Sequence, residues 1–185
     1  MNTVSEFEQR RAALIAEINE AFDGVTREDG ITLHEAIALD NYASQQDEKM
    51  AARRLDRETC WQEVTDKEIC ECQSALSFLD WKGFRYYIPA FMIIGLRQMQ
   101  WPSAHWQIDP NGILHTSSYH LVYFYPKSMR ESEPSLIAEK YHFTKVQCRA
   151  VANSLRFIIE FEAMSADEVT VKAVEKWERF AGQTI

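Results

Sequence analysis

The sequence predicts a mainly α-helical protein with a minor β element. Ser or Thr followed three residues later by Glu or Gln, the capping box that starts helices, occurs five times ahead of apolar residues at helical spacing. Strand-like composition is confined to short stretches. We therefore expect five to seven helices in a single domain over residues 1–185, with short strands near residues 84–88 and 106–125.

The first two capping boxes predict the N-terminal helices. The box at Ser5 opens a helix over about residues 6–22, and the box at Thr32 opens a second over about 33–43. Residues 44–55 are helical by propensity. The pattern leaves open whether they continue the second helix or begin a new one.

The third box, at Thr65, predicts a helix that leads into the most apolar segment of the chain. There, residues 80–83 are typical of a turn, and residues 84–88 have the aromatic and β-branched composition of a short buried strand. Pro89 suits the first turn of a helix that reaches about Met99. We predict that this segment forms the core.

The next region is irregular. The turn residues at 109–112 predict a small hairpin that pairs 106–108 with 113–115, and residues 126–139 have the composition of a surface loop. Residues 119–125 fit either a strand or a short helix. The boxes at Thr144 and Ser165 then predict a helix over 145–162 and a final amphipathic helix that ends before Gly182.

Composition limits the class of protein. A chain of 185 residues with 46% hydrophobic residues can bury a core without disulfides. No signal-peptide pattern and no membrane-length apolar stretch is present, and the spacing of the four cysteines does not fit a disulfide framework. We expect a cytoplasmic protein that binds no membrane.

Charge is distributed unevenly along the chain. Residues 1–80 contain 8 Lys and Arg against 18 Asp and Glu, whereas residues 81–185 contain 12 against 10. An acidic half repels phosphate backbones, so we expect no nucleic-acid binding. The charge favours a basic protein partner, although a solvated acidic surface that keeps the protein soluble would have the same composition.

No catalytic motif is recognisable in the sequence. The spacing of His105, His115 and His120 does not suit a shared metal, so we expect neither a metal nor another cofactor. Several acidic residues could form a general acid–base pair only if the fold brings them together: Asp40, Asp47, Asp56, Glu58 and Asp80. Whether the protein is an enzyme stays open.

Arg85 lies within the most apolar segment, where an unpaired charge is costly. Asp80 is the nearest acidic residue in sequence, and we predict a structural Asp80–Arg85 ion pair rather than an anion site. Mutation of Arg85 to Met tests this prediction. Loss of a specific ligand with unchanged melting would contradict the structural role.

Five residues are candidates for binding a partner. Trp101, His105 and Trp106 form an aromatic, partly polar loop, while Asp40 and Asp47 belong to the acidic half. Exposed Trp residues are frequent at interface hot spots, but a Trp in a loop can equally cover the core. The sequence does not choose between these two roles.

Two segments resemble a bacterial family known only as a domain of unknown function. Residues 32–36 read Thr-Leu-His-Glu-Ala, residues 40–42 read Asp-Asn-Tyr, and residues 79–90 read Leu-Asp-Trp-Lys-Gly-Phe-Arg-Tyr-Tyr-Ile-Pro-Ala. The helix that begins after Thr144 is similar to the closing helix of that family. The resemblance covers most of residues 31–160 and implies no activity and no catalytic positions.

Our main hypothesis is a non-enzymatic acidic protein of the immunity or antitoxin kind that neutralises a basic partner. One alternative is a small hydrolase or transferase with an acidic site near Arg85. Another is a structural or regulatory module that dimerises through a helix face. The sequence leaves the oligomeric state and the identity of any partner open.

Overall fold

A computed structural model describes residues 3–101, 112–123, 134–161 and 167–182. These residues form nine α-helices, two short 3-10 helices and no strand. The helices are α1 (Val4–Ala21), α2 (Leu33–Asp40), α3 (Gln46–Arg53), η1 (Trp61–Glu63), α4 (Asp66–Glu71), η2 (Gln73–Ser77), α5 (Trp81–Gln98), α6 (Ile113–Val122), α7 (Pro134–Lys140), α8 (Lys145–Phe161) and α9 (Glu168–Phe180). The prediction of a mainly α-helical fold is confirmed, but the described residues form more α-helices than the five to seven expected, and the predicted minor β element is wrong for them.

The central helix is α5, which contacts α1, α4, α6 and η1. Its residues from Gly83 to Leu96 are all buried except Arg85. The predicted turn and strand at 80–88 are wrong, since Asp80 is instead the N-cap of one continuous helix. Composition alone does not separate a short buried strand from a buried helix, because both are apolar throughout.

Capping signals located several helix starts correctly. The boxes at Thr32, Thr65 and Thr144 form, and each Thr hydroxyl accepts a hydrogen bond from the third residue after it. At α1 the cap is Thr3 rather than Ser5, and at α9 it is Asp167. Ser165 lies outside the described residues.

Three other predictions are settled in part. The chain starts a new helix at Gln46 instead of extending α2. Residues 113–122 are helical, so the predicted hairpin and the strand near 106–125 fail wherever the structure describes them. The rest of that hairpin, at 106–108, lies outside the described ranges, and part of the predicted 126–139 loop is the helix α7.

The buried indole N–H groups are satisfied by backbone carbonyls near helix ends. Trp61 donates to the carbonyl of Phe22 at 2.9 Å, and Trp177 donates to the carbonyl of Leu121 at 2.9 Å. These bonds tie the ends of α1 and α6 to the rest of the core.

None of the described helices combines the length and the apolar character that crossing a bilayer requires.

Candidate functional site

The candidate site is the exposed corner between α2 and α3, residues 41–55, here called the α2–α3 corner. Helix α2 ends in a Schellman motif, in which Ala43 N–H donates to the carbonyl of Ala38 at 2.9 Å and Tyr42 N–H to that of Leu39 at 3.1 Å. The motif needs a left-handed residue at its turn, and Tyr42 fills this place with φ +61°. Glycine is the usual residue there because it has no Cβ.

Tyr42 is also 93% exposed, so no packing compensates its strained backbone. Among the described residues, the other non-glycine residues with positive φ, Glu28 and His142, have visible partners: Glu28 accepts from Lys82 at 3.0 Å, and the His142 ring lies 4.5 Å from that of Trp81. An unstabilised strained residue with a large exposed ring points to a role outside folding.

Helix α3 extends the exposed surface beyond Tyr42. None of its residues is buried; Met50 is 43% exposed, and Leu55, two residues beyond the end of the helix, is 60% exposed. Its inner side is fixed by Arg53, whose guanidinium donates to Glu35 at 2.8 Å and to the carbonyl of Gly30 at 2.9 Å. The corner therefore presents apolar side chains on an anchored helix, as protein interfaces do.

The same corner carries charges of both signs, with Asp47 and Glu48 close in sequence to Lys49, Arg53 and Arg54. Asp47 and Glu48 are exposed in the first turn of α3, and neither forms an ion pair with another described residue. Asp40, the last residue of α2, is half-buried and accepts a hydrogen bond from the Ser74 hydroxyl at 2.7 Å. Of the two predicted acidic partner-binding residues, Asp47 is free to meet a partner, whereas Asp40 supports the end of α2.

The predicted aromatic candidates lie elsewhere. Trp101 is half-buried, with its ring 5.7 Å from that of Phe7 and 5.3 Å from that of Phe161. It thus packs against α1 and α8 and is not at the α2–α3 corner. His105 and Trp106 lie outside the described residues.

The predicted Asp80–Arg85 pair is absent from the ion pairs of the described residues. Asp80 Oδ1 instead accepts from the N–H groups of Gly83 at 2.8 Å and Ile31 at 3.1 Å. Arg85 lies 3.8 Å from a Glu28 oxygen and stacks over Trp81 at 5.4 Å. Five residues along a helix rotate a side chain by about 140°, so a cap and the fifth residue after it face apart.

Three of the acidic residues that could have formed a catalytic pair, Asp40, Asp56 and Asp80, have separate partners. Asp56 is held by His34, whose N–H and Nδ1 lie 3.0 and 2.7 Å from its two oxygens. Asp40 bonds Ser74 and Asp80 caps α5, so the three carboxylates serve three different places. Among the described residues, no three His, Cys, Asp or Glu side chains are arranged to hold a metal.

Sequence reasoning missed Tyr42, Met50 and Leu55 as site residues. Tyr42 belongs to the Asp-Asn-Tyr segment of the resemblance, which was the one available signal. Its strain becomes visible only once the end of α2 is known.

The described residues thus define a mainly α-helical protein with an exposed corner of apolar and charged residues between two N-terminal helices. Over residues 10–180 the chain matches the model of a family of unknown function, DUF6714. The protein belongs to this family. No curated protein and no solved structure shows significant similarity to it.

Proposed function

We propose that the protein is a non-enzymatic binding domain of the immunity or antitoxin kind, and that its α2–α3 corner holds a basic protein. The observation that carries the proposal is Tyr42, which keeps a strained backbone and a ring exposed to 93% with no compensating contact. A ring of this kind can enter a pocket on a partner as a hot-spot anchor.

Charge supports a basic partner. The N-terminal 80 residues hold 18 acidic against 8 basic residues, and Asp47 and Glu48 flank the apolar side chains of the corner. The net charge of this half, 8 − 18 = −10, would attract Lys or Arg residues of a partner and speed association, and Asp47 and Glu48 would pair with them at the corner.

The alternative occupant of the corner is a second copy of the chain. Light scattering of the purified protein distinguishes this alternative from a basic partner. The proposal also places the protein in the bacterial cytosol: the family resemblance supplies the bacterial origin, and the four free cysteines fit a reducing compartment.

The proposal is tested by co-expressing the protein with the product of each gene adjacent to its own and measuring any complex by calorimetry. We expect a basic neighbour to bind. Tyr42→Ala should weaken that binding by roughly thirtyfold, since loss of a central aromatic anchor typically costs about 2 kcal/mol.

The matched control is Val146→Ala, which shortens another exposed apolar side chain, on α8. It should change affinity by no more than about twofold, as peripheral surface changes do. Binding that is insensitive to Tyr42→Ala, or a complex only with itself by light scattering, would contradict the proposal.

A further inference from the structure

A cavity of about 360 Å³ lies between η2 and α6. Seven residues line it, all with polar side chains, and none carries a carboxylate, an ammonium or a guanidinium group. These side chains expose more apolar than polar surface to the cavity, so the lining combines apolar surface with hydrogen-bonding groups that carry no fixed charge. This combination limits the chemistry of what can bind there.

Two hydroxyl groups of the lining are already oriented by protein acceptors. Ser74 donates its hydroxyl proton to Asp40 at 2.7 Å, and Thr116 donates to the carbonyl of Gly112 at 2.8 Å. A hydroxyl group whose proton is engaged in such a hydrogen bond can only accept further hydrogen bonds, so it offers lone pairs to the cavity. A ligand must therefore provide O–H or N–H donors at these two places.

His120 adds a neutral ring to the lining. Its Nε2 lies 3.4 Å from the Ser77 hydroxyl, which is longer than a well-formed hydrogen bond. Burial lowers the pKa of His120 to about 4, so the ring is uncharged near neutral pH. A base this weak is poorly suited to activate Ser77 as a nucleophile, which favours binding over catalysis.

We propose that this cavity binds a neutral, polyhydroxylated small molecule of the monosaccharide or polyol class. Hydroxyl groups both donate and accept, so one ligand can satisfy the lone pairs of Ser74 and Thr116 and the amide donors of Gln73. An oxyanion such as phosphate offers mainly acceptor oxygens and would face those lone pairs with the repelling Asp40 carboxylate behind Ser74. An ammonium group has no lone pair for the Gln73 amide donors.

The test is NMR titration of the full chain with glucose, galactose, mannose, myo-inositol and glycerol, followed through the ring resonances of His120 and saturation transfer to the ligand. Inorganic phosphate and butylamine serve as the anionic and cationic probes. We expect at least one polyol to shift the His120 resonances, whereas phosphate and butylamine leave them in place.

Thr116→Val keeps the side-chain volume and removes one oriented acceptor, so polyol binding should weaken roughly tenfold. Thr26→Val, at an exposed loop position, is the matched control and should bind normally. If Thr116→Val does not fold, Ser74→Ala replaces it. The proposal is overturned if no polyol shifts the His120 resonances or if phosphate or butylamine binds instead. It is also overturned if the cavity variant, Thr116→Val or Ser74→Ala, binds polyols as well as Thr26→Val does.

Discussion

At the scale of single residues, the Schellman motif of α2 contains a tyrosine where glycine would give a more stable protein. Glycine would adopt the left-handed backbone of this position without steric cost, whereas Tyr42 bears that cost. Its exposed ring gains no burial energy to offset it. The sequence shows a tyrosine at the end of a helical pattern. It does not show which residue adopts the left-handed conformation, because that depends on where α2 stops.

Tyr42→Gly should therefore stabilise the protein by about 1 kcal/mol while it weakens partner binding, since it relieves the left-handed backbone and deletes the ring. The measurement is urea unfolding at equilibrium. Asn41→Gly is the control, because Asn41 has an ordinary φ of −82° and glycine there only adds freedom to the unfolded chain. Equal losses of stability in both variants would show that Tyr42 is not strained.

At the scale of elements, local signals in the sequence predict some helices, whereas tertiary contacts decide the form of others. The boxes at Thr32, Thr65 and Thr144 are local hydrogen-bond patterns, so the sequence alone locates those helices. Helix α5 was predicted as a turn, a strand and a helix because its composition is ambiguous. What decides its form is burial on nearly all sides, with Pro89 tolerated inside the helix.

The first turn of α5 also depends on a close backbone approach. A Cβ atom on Gly83 would lie 2.3 Å from the carbonyl oxygen of Ile31, far inside contact distance. The segment before α2 therefore packs directly on α5, where Asp80 bonds both Gly83 and Ile31. This approach fixes the start of α2 and so helps to position the α2–α3 corner.

Gly83→Ala should destabilise the protein by about 3 kcal/mol despite the higher helix propensity of alanine, because a rigid backbone oxygen blocks the new methyl group. Gly24→Ala, measured in the same urea unfolding series, is the comparison. A Cβ there meets nothing within 4 Å, and φ of +67° is its only penalty, about 1 kcal/mol. A Gly83→Ala protein as stable as wild type would show that this approach is not required.

At the scale of the whole molecule, charge could be predicted from the sequence and the cavity could not. The acidic excess of residues 1–80 can be counted from the sequence alone, and this acidic half contains the α2–α3 corner. The cavity joins Ser74 and Ser77 of η2 to Thr116 and His120 of α6, segments about 40 residues apart. Their proximity follows from the tertiary packing of η2 against α6, which no local pattern encodes.

Global stability should depend on pH through His120. The folded ring has a pKa of about 4 because of its burial and the nearby Lys140 charge, below the ordinary value of 6.5. Between these two values the unfolded chain binds a proton that the folded protein does not, so stability falls as pH falls through this window. Below about pH 4 both states are protonated, and this contribution changes no further.

Urea unfolding at about pH 7 and about pH 5 should show that wild type loses about 2 kcal/mol more than His120→Gln, which has no ring to protonate. The difference between the two proteins isolates His120, because carboxylates common to both cancel. Equal losses in the two proteins would mean that His120 binds its proton as readily when folded as when unfolded. The ring would then be well solvated, and the neutral cavity lining inferred above would have to be abandoned.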